Sequence, residues 1–197
     1  MTAYRFKPRI SVAERTDLAR SLAMRDGVPR VFGIASFLKT WQSGLLREGV
    51  APFPLPSLPP RLSARTCRDK LAYFLTYYAG SLALSPYLGE LSIAVSAEAE
   101  NRLTVSLSAP YLKKELPLLF DTASLLRLSP EGQKLLANAT RELGVSVVVD
   151  RTRTELKVHL SIGVFTAEPT LVREESALER AAILAAVAAA FADLRRL

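Results

Sequence analysis

A single cysteine and a single histidine in 197 residues remove several chemistries at once. Cys67 has no partner for an internal disulfide, which points to a reducing compartment. One cysteine and His159 cannot build a closed zinc site, and the carboxylates are scattered along helices. No histidine sits where it could activate a nucleophile, so acyl transfer lacks its base. Neither a Walker loop nor a dinucleotide fingerprint occurs. Long apolar runs are missing too: the longest, Ala181 to Ala192, is twelve residues, and a spanning helix needs roughly 20. The opening MTAYRFKPRIS lacks the apolar core of a secretory signal. The expectation is a cytoplasmic protein with no membrane partner, no metal and no cofactor, and not an enzyme.

The chain has enough to build a core: 49 % of its residues are hydrophobic. Its net charge of +7 is uneven. Residues 1–70 carry 13 Lys and Arg against 5 Asp and Glu, whereas residues 71–197 carry 13 against 14. A basic N-terminal third can attract nucleic acid or an acidic protein surface, and it is also what a solvated face looks like.

Ser11 and Glu14 have capping-box spacing, predicting a first helix that Gly27 ends. A second helix is predicted from about Pro29 to Arg47, with Val31, Ile34, Leu38, Trp41 and Leu45 on one face and Gly49 closing it. Together these make a helical hairpin whose apolar seam must be buried. The stretch VAPFPLPSLPP can be neither helix nor central strand, and reads as a stiff linker or a strap on the fold. A third helix is predicted from about Ser63 to Leu84, burying Cys67, Leu71, Phe74, Leu75, Tyr78 and Leu82. Cys67 lies near Arg65 and Arg68, which could lower its pKa, but its spacing to Leu71 and Phe74 favours the core.

Leu91, Ile93, Val95, Leu103, Val105 and Leu107 then alternate with small polar residues, as in a β-hairpin with one buried face. Ser129, Pro130 and Gly144 bracket a fourth helix. A second hairpin follows, with Leu156, Val158, Leu160 and Ile162 facing one way and Lys157, His159 and Ser161 the other. A last helix starts at a capping box of Ser176 and Glu179, and its alanines permit close approach to a neighbour. The expected fold class is α+β, a mixed sheet of two hairpins with helices on one face, plus the N-terminal hairpin and a C-terminal helix. The expected division is a helical hairpin over 1–49, a linker over 50–62 and an α+β domain over 63–197.

From Ser63 to Val164 the sequence resembles the ATP-binding domain of the histidine kinase, gyrase and Hsp90 superfamily. The stretch Ser85-Pro86-Tyr87-Leu88-Gly89-Glu90 stands where kinases turn from a long helix into a hairpin, Glu115 to Phe120 matches a Leu-Phe stretch, and NATRELGVSVVVD with ELKVHLS is similar to the domain's end. The resemblance implies a nucleotide fold, yet the residues that would hold the nucleotide are absent. The asparagine that would bring Mg²⁺ falls near Gly80, where Tyr77, Tyr78 and Ser81 offer no carboxamide. The Asp-X-Gly-X-Gly that would read adenine is replaced by Ser108-Ala109-Pro110-Tyr111-Leu112, and the glycine-rich lid is reduced to Gly132. In kinases and histidine phosphotransferases a preceding helical hairpin carries the phosphorylated histidine, whereas residues 11–48 contain none. His159, beside Lys157 on a strand, fits a solvated structural role.

These readings combine into a non-enzymatic regulatory or scaffolding protein on a degenerate kinase-like fold. It is expected to homodimerise and to bind a protein partner of acidic character through the seam of Val31, Ile34, Leu38, Trp41 and Leu45. The alternative is a DNA-binding regulator: TDLARSLAMRDGVPRVFGIASFLKTW can be read as helix, turn, helix, with Arg25, Arg30 and Lys39 near the DNA backbone.

Overall fold

The computed structural model describes residues 27–98, 101–126, 130–169, 171 and 175–196. Strand β1 (Arg30–Gly33) runs into helix α1 (Ile34–Arg47), and strand β2 (Leu62–Thr66) runs into helix α2 (Arg68–Ala83). The hairpin of β3 (Ser92–Glu98) and β4 (Arg102–Pro110) precedes two one-turn helices, α3 (Leu116–Leu119) and α4 (Thr122–Leu125). Helix α5 (Pro130–Leu143), the hairpin of β5 (Val145–Arg151) and β6 (Glu155–Gly163), the short β7 (Phe165–Thr166) and helix α6 (Ala177–Arg196) complete the order.

The fold is α+β, and its main sheet runs β3-β4-β6-β5. Every pairing in it is antiparallel, where two hairpins in succession suggested a mixed sheet. The second strand of each hairpin takes the centre, joined from Arg102↔Gly163 to Pro110↔Glu155. Period-two alternation decides which face is covered: Leu103, Val105, Leu107, Leu156, Val158 and Leu160 are wholly buried. Each such side chain contributes roughly 1.5–3 kcal/mol of transfer free energy. The opposite face carries Ser106, Ser108, Lys157, His159 and Ser161. Gly144, at φ +64°, lets the chain turn from α5 into β5.

The N-terminal part departs from the expected helical hairpin. Residues 30–33 are a strand rather than the first turn of a helix, paired from Arg30↔Thr66 to Gly33↔Ser63. Residues 62–66 are likewise a strand rather than helix, held on the other side by β7 through Leu62↔Thr166. Pairing engages the facing backbone groups of both segments, and Phe32 and Ala64 are buried, so tertiary packing overrides the helical pattern. The start of the supposed recognition helix is therefore extended, and the helix begins at Ile34 instead of Pro29. Arg30 is exposed on β1, Lys39 is exposed on α1, and Arg25 lies outside the described residues, as do Ser11 and Glu14.

The seam is covered within the chain. Ile34, Trp41 and Leu45 are fully buried and Leu38 is 1 % exposed, while Val31 is half-buried on β1. Helix α6 lies on α1 closely enough that a Cβ at Gly44 would sit 3.0–3.1 Å from Val187. This stripe is thus part of one core that runs from Phe32 to Leu194, and the packing does not divide at 50–62. The proline-rich stretch is a strap on that core: Phe53 is buried edge-on to Trp41 at 5.9 Å, and Gln42 donates to its carbonyl.

Helix α6 begins with the expected capping box, Ser176 N donating to Glu179 Oε2 at 2.8 Å and Glu179 N to Ser176 Oγ at 3.2 Å. Glu179 also pairs with Arg68, which reaches Glu175 at 3.4 Å, and Thr40 donates to Glu175 at 2.6 Å. One half-buried cluster thereby ties α1 and α2 to the entrance of α6. Among the described residues no helix is long and apolar enough to cross a membrane.

Candidate functional site

The positions that the sequence resemblance pointed to lie on α2 and on the segments beside it. Helix α2 is buried nearly all round, from Lys70 to Leu82 without interruption. A helix apolar on every side is an internal one. On one side it meets β4, and on another it meets α6. Gly80 faces α6, where an added Cβ would stand 2.5 Å from Leu194 Cδ1 and 3.5 Å from Phe191. A carboxamide at this position would require Leu194 to move.

The neighbouring side chains serve the interior. Tyr77 donates its hydroxyl to the Leu126 carbonyl at 3.0 Å, which draws the end of α4 onto α2, and Leu125 and Leu126 are each 1 % exposed. The Tyr78 ring meets Phe74 at 5.3 Å and Tyr77 at 5.6 Å, and burial pushes its phenol up to about 12. Ser81 Oγ and Tyr111 Oη are buried without a hydrogen-bond partner in the structure as described. Ser108 continues the β4 ladder opposite Ser92 and Lys157, and Tyr111 N donates to the Thr154 carbonyl at 2.9 Å. The segment is strand where a glycine loop with a carboxylate would be needed. Gly132 lies in the first turn of α5, which is helix where a glycine-rich loop would be needed.

Cys67 and His159, the two residues singled out for their chemistry, occupy different places. Cys67 is the extended N-cap of α2, 6 % exposed, with its thiol donating to Asp69 at 3.2 Å. Desolvation pushes the thiol up to about 11, so it is a protonated core residue. It borders a cleft of about 520 Å³ whose charged lining groups, Lys70 and Glu142, pair with each other.

His159 bridges strands on the polar face of the main sheet. Its Nδ1 is 2.9 Å from Ser106 Oγ, and its Nε2 is 3.7 Å from Asp150. The row has the residue types of a hydrolase triad, which sequence spacing could not show because three strands contribute. Acyl transfer also needs amide donors beside the serine for an oxyanion. Ser106 lies on a central strand whose backbone is engaged by β3 on one side and β6 on the other. The row therefore reads as a cross-strand polar cluster.

Solved histidine kinases are among the structures to which this chain is similar. Acinetobacter baumannii histidine kinase AdeS is 13 % identical with a TM-score of 0.45, the match covering 77 % of this chain and 76 % of that one. Full-length ShkA in complex with AMPPNP is 14 % identical with a TM-score of 0.49, covering 90 % of this chain and 42 % of its own length. Neither a family model nor a curated protein matches the sequence. At these scores neither likeness bears on function, which is argued from the chain's own residues.

Proposed function

We infer that the chain is a non-enzymatic regulatory or scaffolding protein that acts through protein contact. The observation that carries this reading is the filled side of α2, where Gly80 abuts Leu194 and Tyr77 is bonded to Leu126. A nucleotide needs a metal-bearing side chain, a base-reading acceptor and open amides for phosphate. At the matching positions stand a glycine against a leucine, a strand, and a helical turn.

Homodimerisation belongs to the same proposal, but through surfaces other than the buried seam. The test is calorimetric titration of the purified chain with Mg·ATP and Mg·AMPPNP, beside sedimentation velocity over a range of concentrations. The expected result is no heat of binding at millimolar nucleotide. A saturable isotherm in the micromolar range would overturn the non-enzymatic reading, and a monomer at all concentrations would remove dimerisation from it.

A further inference from the structure

We propose that β5, an open edge of the main sheet, pairs antiparallel with β5 of a second copy, joining two four-stranded sheets into one. The proposal rests on the contact-based reading above and gives its homodimer a surface and a register.

The order β3-β4-β6-β5 leaves two edges. At the start of the β3 edge, residues 90–93 share a cleft of about 350 Å³ with residues 51–54 of the strap. The β5 edge has no such neighbour among the described residues: its ladder is to β6, and none of its seven residues makes a further backbone bond there. An edge strand presents a row of free N–H and C=O groups, which proteins blunt with lysine, proline, a bulge or a very short strand. The sequence VSVVVDR has no lysine or proline, and its register is unbroken from Val145↔Ile162 to Arg151↔Leu156. Val148, at its middle, is 54 % exposed on the otherwise polar face, and Val147 and Val149 are half-buried. A valine-rich edge without these devices is a template for another strand.

Self-complementarity decides which strand fits. Along an antiparallel ladder, alternate residues turn their N–H and C=O toward the neighbour, so two identical edges meet about a two-fold axis only with residues of like parity opposite each other. An axis through Val148 engages all seven residues. It sets Val148 against Val148, Val147 against Val149, and the hydroxyl of Ser146 against the exposed Asp150 carboxylate. Val145 faces Arg151, whose guanidinium is drawn aside to the Phe120 carbonyl at 2.7 Å. Axes through Val147 or Val149 keep five of the seven residues, and the second sets Asp150 against Val148. No like charges meet in the central register. Residues 141–155 carry three arginines against three carboxylates, Glu142, Asp150 and Glu155, so no net charge holds two copies apart. A second copy supplies the matching valines and the Ser146–Asp150 pairs by symmetry, and it supplies them twice.

Sedimentation velocity of the purified chain should show a concentration-dependent dimer, followed up to about 500 μM because one shared edge buries little surface. Val148→Lys sets two ammonium groups against each other at the axis and should weaken self-association at least about tenfold. Because Val148 is exposed, that variant should keep the wild-type circular dichroism. Val148→Cys should give a disulfide-linked dimer under mild oxidation. Ser146→Cys should not, because its twin lies four residues away, about 13 Å along the strands. The wild-type chain, whose buried Cys67 is its one thiol, is the control. The cysteine variants decide the matter if Val148→Lys does not fold.

A dimer unmoved by Val148→Lys, a dimer in which Val148→Cys does not link, or equal linking of Ser146→Cys would overturn the β5 pairing and leave the homodimer standing on another surface. A monomer at every concentration would overturn both. Saturable Mg·ATP binding by a chain that still dimerises through Val148 would sink the non-enzymatic reading alone.

Discussion

Gly80→Asn places on α2 the kind of side chain a metal-bearing helix would use, and the packing predicts that it damages the fold and binds no ligand. An added Cβ falls 2.5 Å from Leu194 Cδ1, in a contact where Leu194 is fully buried and Phe191 is 1 % exposed. Overpacking of a dense core costs about 1–3 kcal/mol. A carboxamide sealed there without a partner adds about 1–3 kcal/mol. Relief from glycine in a helix returns up to about 1 kcal/mol. The net is a loss of about 1–6 kcal/mol, and for a chain of this size each kcal/mol lowers Tm by about 2–4 °C. Gly80→Ala isolates the steric part at about 0–2 kcal/mol after the helix gain. Urea unfolding followed by the fluorescence of Trp41, the single tryptophan, gives the free energies. In a Leu194→Ala background the asparagine penalty should shrink by about 1 kcal/mol or more, because the clashing atom is gone. A Gly80→Asn protein as stable as the parent, or one with the same penalty in both backgrounds, would refute the packing argument.

Trp41 Nε1 donates to Thr76 Oγ1 at 2.9 Å, and that hydroxyl donates to the Ala72 carbonyl at 2.7 Å. Thr76→Val keeps the shape but leaves the indole N–H unpaired, so urea midpoints should fall by the equivalent of about 1–3 kcal/mol; a change within about 0.3 kcal/mol would show the bond to be unimportant. Cys67, pushed up to about 11, should react with iodoacetamide far more slowly in the native protein than in urea at pH 8, and equal rates would contradict its burial. Its folded pKa lies above the ordinary 9.0, so the unfolded chain releases the proton first. This contribution to stability is present below pH 9 and lost between about pH 9 and 11, and Cys67→Ala should remove that dependence from alkaline unfolding curves.

Both hairpins and the last helix were legible because their signals are local. Period-two alternation put Val105 and Val158 inside, and the Ser176 and Glu179 pair marked the start of α6. Strands β1 and β2 were not legible, because each is short and is stabilised by the other across some thirty positions. Their residues fit a helical stripe until pairing claims their amides. The seam was seen correctly as apolar, but sequence cannot say which surface covers it, and the answer was α6 from the far end of the chain. The cluster of Thr40, Arg68 and Glu175 was missed for the same reason, since separations of 107 and 135 residues leave no local pattern. The row of Ser106, His159 and Asp150 becomes visible once the register across β4, β6 and β5 is known.

The position of α6 connects the covered seam to the filled site. One helix supplies Val187 to Gly44 on α1 and Leu194 to Gly80 on α2, so the contact that buries the seam also closes the side of α2 where a metal-bearing residue would project. An asparagine at 80 and Leu194 in its present place exclude each other, and opening that side means lifting α6 off both helices. Such a movement would expose Val187, Phe191 and Leu194 together, a cost that several contacts at the surface of α2 could not offset. A ligand-gated opening is therefore disfavoured by the same core that stabilises the chain.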